Sequence, residues 1–84
     1  MTTTLTLISK PDCHLCDDAR AVIDQVTAPL GDKAPVREEL SILDDPALFD
    51  RYWEEIPVVL INGKVHNYWR IDPARLARAL EEAR

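Results

Sequence analysis

The stretch TLTLISKPDCHLCDDAR, residues 4–20, decides how this chain is read. Leu5 and Leu7 alternate with threonines and Ile8 adds a β-branched side chain, the pattern of a short, largely buried strand. Lys10, Pro11 and Asp12 form a turn, and Pro11 stays outside the helix that follows. That helix starts near Cys13 and runs to about residue 27. Asp17 and Asp18 fall in its first turns, where the helix dipole favours negative charge. Leu15, Ala19, Val22, Ile23 and Val26 recur at three- and four-residue spacing and form one apolar face, and Pro29 and Gly31 end the helix. Cys13 and Cys16, the chain's only two cysteines, therefore stand at a helix start just after a strand.

Working outward, the 84 residues suit one domain, residues 1–84. Apolar residues make up 46% of the chain, enough for a compact core and too many for a disordered tail. No apolar run approaches the ~18 residues of a membrane span, and residues 1–9 lack the pattern of an export signal, so the expected compartment is the cytoplasm, with no membrane partner. A net charge of −5 without a basic run argues against nucleic acid. Two cysteines cannot build the multi-bridge framework of a small secreted domain. In a reducing cytosol a close pair points to catalysis, redox sensing or metal binding.

The rest of the chain supplies a mixed sheet. Residues 36–42, VREELSI, read as a second strand whose two glutamates suggest an edge position. Asp44 or Asp45 caps a short helix over residues 46–53, packed through Leu48, Phe49 and Tyr52. Ile56-Pro57 interrupts the chain before VVLI, residues 58–61, a strand apolar at every position and hence central and covered on both faces. Asn62-Gly63 is a hairpin turn leading to a fourth strand over residues 64–69. Asp72-Pro73 opens a last helix that faces the core with Leu76, Ala77 and Leu80, while Arg75, Arg78 and Arg84 lie toward its C-terminal side. The order β-α-β-α-β-β-α predicts an α/β fold: one four-stranded mixed sheet, its first crossover giving a parallel pair, with helices on both faces.

Cys13 and Cys16 can exchange electrons, hold a metal or pack. A thiol at a helix N-terminus sees unpaired backbone N–H groups and the positive dipole end, both of which stabilise a thiolate; a free thiol ionises near ~8.5 and C-x-x-C motifs bring this to roughly 3.5–7.5. This makes Cys13 the attacking thiolate and Cys16, deeper in the helix, the resolving thiol. Lys10 and a protonated His14 favour the thiolate; Asp12, Asp17 and Asp18 oppose it if they point inward, which argues for a reducing or exchange role rather than disulfide donation. Zinc wants four ligands, and beyond the pair only His14 and His66 are at hand, so no metal site is assigned; an iron–sulfur cluster shared between two chains is the remaining metal reading. His14 reads as a solvent-facing residue that tunes the site, and His66 as an ordinary strand residue. Trp53, Tyr68 and Trp69 are expected mainly in packing, with a share left for a docking surface beside the dithiol.

A strand, C-x-x-C at a helix start, and Ile56-Pro57 about forty residues later before an apolar strand together resemble the thioredoxin fold, and more narrowly the small glutaredoxin-like proteins, over nearly the whole length. The resemblance implies a thiol–disulfide oxidoreductase in which Cys13 is the nucleophile and Cys16 the resolving thiol, with no organic cofactor. Pro57 matches the cis-proline that faces the dithiol, where the backbone of Ile56 can pair with an extended substrate. Lys10 matches a lysine that contacts a glutathione carboxylate, and Asp72 the acidic cap that meets glutathione's amine, though a plain N-cap explains Asp72 as well.

The departures bear on the reductant. Glu55 and Ile56 stand where the family has threonine and valine, His14-Leu15 separates the cysteines in place of Pro-Tyr, and Tyr68-Trp69-Arg70-Ile71 replaces a glycine pair before the last helix. These changes argue against glutathione. The expected partner is a disulfide-containing protein or another low-molecular-weight thiol, acting on a monomer. Two alternatives stand beside this reading: a non-catalytic thioredoxin-like binding module with a redox-switched dithiol, and a metal or iron–sulfur carrier.

Overall fold

A computed structural model describes residues 2–83. In chain order they form β1 (Thr4–Ser9), α1 (His14–Thr27), a 3-10 segment (Ala28–Lys33), β2 (Val36–Ser41), α2 (Pro46–Tyr52), β3 (Val58–Ile61), β4 (Lys64–Tyr68) and α3 (Pro73–Glu82). The sheet runs β2-β1-β3-β4, with β1 parallel to β2 and antiparallel to β3, and β3 antiparallel to β4. The two apolar stretches of the sequence, residues 5–8 and 58–61, are thus the two central strands.

Alternation along those strands divides the core. Leu5, Leu7 and Val59 point to one face, where Ala19 and Ile23 of α1 and Leu76 and Leu80 of α3 cover them, joined by Ile71. Ile8, Val58 and Leu60 point to the other, against Ile42, Tyr52 and the half-buried Leu48 of α2 and its flanks. Helices therefore lie on both faces, as the all-apolar VVLI requires.

β2 is the parallel edge strand, and its glutamates do more than keep an edge soluble. Glu38 accepts a hydrogen bond from Thr6 Oγ1 at 2.7 Å. Glu39 accepts from Ser9 Oγ at 2.9 Å and from Arg20 of α1 through Nε and Nη2 at 2.9 and 2.7 Å. Arg37 pairs with Asp24 of α1. These contacts tie the helix that carries the cysteines to the sheet's outer strand. The Arg20 guanidinium, aided by Ser9, holds Glu39 below the ordinary carboxylate range against a smaller opposing effect of burial.

Two packing expectations change. Phe49 is exposed and stacks on Trp53, with ring centroids 6.3 Å apart, instead of entering the core with Leu48 and Tyr52. Two turns of helix offer one narrow inward stripe, and Tyr52 fills it. Ala77 is exposed, because Leu76 and Leu80 alone form the buried stripe of α3. α1 passes into the 3-10 segment before the chain turns at Gly31, whose φ of 54° lies in the left-handed region. Arg84 lies outside the described residues.

Leu76→Ala is expected to cost about 2–5 kcal/mol in urea unfolding, since it empties a fully buried site. Ala77→Ser, on the same helix but exposed, is expected to stay within about 0.5 kcal/mol. Glu39 contributes stability that is complete above the ordinary glutamate range and is lost as pH falls through its lowered folded-state value. Melting temperature plotted against pH should therefore fall less steeply on the acid side in Glu39→Gln than in the parent chain.

Candidate active site

The strand register gathers the site residues at one end of the sheet. β1 runs out through Ile8 and Ser9 toward the cysteines, and Ile8 pairs with Val58, the first residue of β3. Pro57 therefore lies beside the exit of β1, and Tyr68, paired with Val58 from the other side, brings the end of β4 to the same place. The N-terminus of α1, the start of β3 and the end of β4 meet there.

Cys13 is the N-cap of α1. It is extended, with φ −120° and ψ 111°, and its Sγ accepts the backbone N–H of Cys16 at 3.2 Å. Asp12 before it has a φ of 55°, the left-handed conformation that aspartate tolerates better than most residues and that turns the chain from strand into helix. Cys16, one turn in, is fully buried, while Cys13 is half-buried. The two sulfurs are joined in a disulfide, with Cα atoms 5.2 Å apart. Spacing and cap conformation thus set one sulfur at the surface and its companion in the interior.

The flanking charges sort themselves by partner. Asp17 pairs with Arg20, itself anchored on Glu39, so this carboxylate is spoken for by a cation of its own helix. Lys10 and His14 are exposed. Asp72 caps α3, accepting from the N–H groups of Ala74 and Arg75 at 2.9 and 3.2 Å, so its carboxylate is engaged in the plain N-cap role. His66 lies on β4 away from the cysteines, beside Ala79 and Glu82 of α3. Its Nε2 is buried without a hydrogen-bond partner, and burial, with a smaller effect of Arg75, holds its pKa below the ordinary histidine value. Among the described residues no group of three or more His, Cys, Asp or Glu side chains is arranged to hold a metal ion.

The Ile56–Pro57 peptide bond is cis, Pro57 is fully buried and Ile56 is half-buried. The Trp69 amide donates to the Pro57 carbonyl at 2.9 Å, and its indole Nε1 donates to the Glu54 carbonyl at 2.9 Å. Trp69 has a φ of 63°, so the backbone at this point takes a glycine-like conformation while carrying an indole side chain. Leu15, between the cysteines, lines an open groove with Tyr68, Trp69 and Arg70. The aromatic residues expected mainly in packing are instead half exposed: Trp53 by 53%, Tyr68 by 43% and Trp69 by 53%. Their number was legible; their outward placement follows from the left-handed turn at Trp69 and from the short α2, neither of which leaves a periodic signal.

Fold and site define a class: a thioredoxin-like α/β domain with a C-x-x-C pair at disulfide distance, a thiol redox fold. The chain belongs to the glutaredoxin-like domain family (DUF836), whose model matches residues 4–81. It is similar to the X-ray structure of Northeast Structural Genomics target protein XcR50 from X. campestris, with a TM-score of 0.76 and 32% identity over 95% of this chain and 99% of that one. Uncharacterized protein Rv0508 of Mycobacterium tuberculosis is 26% identical over 72 residues, 83% of this chain and 74% of that protein. Uncharacterized protein Mb0520 of Mycobacterium bovis matches over the same shares. No helix of the described residues is long and apolar enough to cross a membrane.

After mild reduction, a limiting amount of iodoacetamide is expected to modify Cys13 before Cys16, read by peptide mass spectrometry. Equal labelling of both would contradict the surface and interior assignment.

Proposed function

We propose that this protein is a dithiol–disulfide oxidoreductase acting through Cys13 and Cys16. The observation that carries the reading is the seat of Cys13: a half-exposed N-cap sulfur facing the Cys16 N–H, with the second sulfur buried within bonding reach. The backbone donor and the dipole end favour a negative sulfur there.

In the reduced protein the Cys13 thiolate attacks one sulfur of a substrate disulfide. A Cys13–substrate bond forms, the substrate S–S bond breaks, and the leaving sulfur takes the electron pair and a proton. Cys16 then loses its proton and attacks Cys13, forming the internal disulfide and releasing the second substrate sulfur as a thiol. Two electrons and two protons pass from dithiol to substrate, and an external thiol restores the pair.

Ile56 and Pro57 form the opposing wall, where an extended substrate segment can pair with the Ile56 backbone. We assign Lys10, exposed on the turn before the cysteines, to a substrate carboxylate, and His14, the exposed neighbour of Cys13 in sequence, to tuning of the sulfur. Glutathione is a poor fit. The Trp69 side chain stands where a close backbone approach would need glycine, Glu55 adds a like charge, and the Asp72 carboxylate is committed to its helix. A disulfide-bearing protein as substrate, with a small thiol or thioredoxin-type reductant, fits the site better, and a reducing cytoplasm is the setting we propose.

Cys16→Ser is expected to accumulate mixed disulfides with a disulfide substrate, visible on non-reducing gels. Cys13→Ser should lower disulfide reduction to the uncatalysed background. Substrate capture that persists with both cysteines replaced would favour a binding module over an enzyme.

A further inference from the structure

Apart from the groove at Leu15, α2 exposes a stacked aromatic pair, Phe49 and Trp53, by 43% and 53%. Contiguous apolar surface marks interaction sites more often than single exposed side chains do. The pair is continuous with the site through the chain itself. Glu54, the next residue, receives the Trp69 indole, and Ile56-Pro57 follows within the same short run.

The charge around this pair is one-sided. Residues 44–55 contain five carboxylates and a single cation, Arg51. Arg51 turns onto its neighbour: its Nε donates to the Tyr52 hydroxyl at 3.0 Å and its guanidinium lies 5.4 Å from the Tyr52 ring centre. Asp45 is occupied as the cap of α2. Among the described residues Asp44, Asp50, Glu54 and Glu55 take part in no ion pair, whereas Asp17, Asp24 and Glu39 are all paired with arginines. Residues 44–55 thus carry four of the chain's five net negative charges.

Exposed indole and phenyl rings beside unpaired carboxylates match one kind of surface: cationic side chains that can lie over a ring face while their charge meets a carboxylate. We propose that the Phe49–Trp53 face of α2 docks a protein partner through an arginine-rich segment, placing that partner's disulfide at Cys13. This names the partner class for the site proposed above and rests on the exchange reading only for its purpose, not for the binding itself. A second copy of this acidic chain would set like charges together, and an anionic membrane or nucleic acid would be repelled.

The test uses three synthetic peptides without cysteine, identical except for arginine, serine or glutamate at alternate positions. Each is titrated into the oxidised full-length protein and followed by tryptophan fluorescence and calorimetry. The arginine peptide is expected to bind about 5- to 30-fold more tightly than the serine peptide, and the glutamate peptide most weakly. About 0.5 M salt should shrink the preference. Phe49→Ala/Trp53→Ala and, separately, Asp50→Asn/Glu54→Gln/Glu55→Gln should each reduce it, with circular dichroism confirming folded protein. Cys13→Ser/Cys16→Ser should bind as the parent does, so a failed exchange reading leaves this result intact. Equal binding of the three peptides, a preference untouched by both surface variants, or a concentration-dependent dimer abolished by Phe49→Ala/Trp53→Ala would each overturn the proposal.

Discussion

The first backbone N–H groups of a helix need acceptors, and at the start of α1 the acceptor is a sulfur. The remaining structure can be understood as what keeps the Cys13 side chain in that position. The cap works only if the chain leaves β1 and turns sharply before the helix begins, which the left-handed Asp12 accomplishes. It matters chemically only if α1 is fixed relative to the sheet. Ala19 and Ile23 supply that fixity from below, and Arg20, bridging Glu39 and Asp17, supplies it from the side. The same helical turn that exposes Cys13 carries Cys16 inward, so the asymmetry between the two sulfurs comes from backbone geometry rather than from any difference in the residues.

The second constraint is the order of the strands. With β1 between β2 and β3, the end of β1 and the beginning of β3 lie side by side, and the Ile56–Pro57 bend is brought to the cysteines across some forty residues of sequence. β4 then adds Trp69, whose two hydrogen bonds fasten the end of the hairpin to the Glu54–Pro57 run. The site is therefore a junction of three elements, α1 and β3 held by core contacts and β4 by its pairing with β3.

Much of this was legible in the sequence, for identifiable reasons. Residues 5–8 and 58–61 are apolar enough to be central, and Asp72-Pro73 and Asp45-Pro46 mark helix starts by side-chain chemistry that acts within three residues. Cys13 and Cys16 declared themselves by spacing. Phe49, Ala77 and the exposed aromatics did not. Whether a residue on a short helix faces in or out depends on the neighbour across the interface, and Tyr52 claimed that place. Nor does sequence reveal that Glu39 meets both Ser9 and Arg20, because the pairing joins three elements. The positive φ of Trp69 carries no compositional sign at all; a glycine there would have announced the turn that a tryptophan conceals.

The N-terminus of α1 singles out one sulfur of the pair. Thiolate absorbance of the reduced protein, recorded across pH, tests this most directly. The expected result is a first ionisation below the ~8.5 of a free thiol, retained in Cys16→Ser and missing from Cys13→Ser. Two thiols ionising together at or above the free value, or a low ionisation that survives in Cys13→Ser, would contradict it.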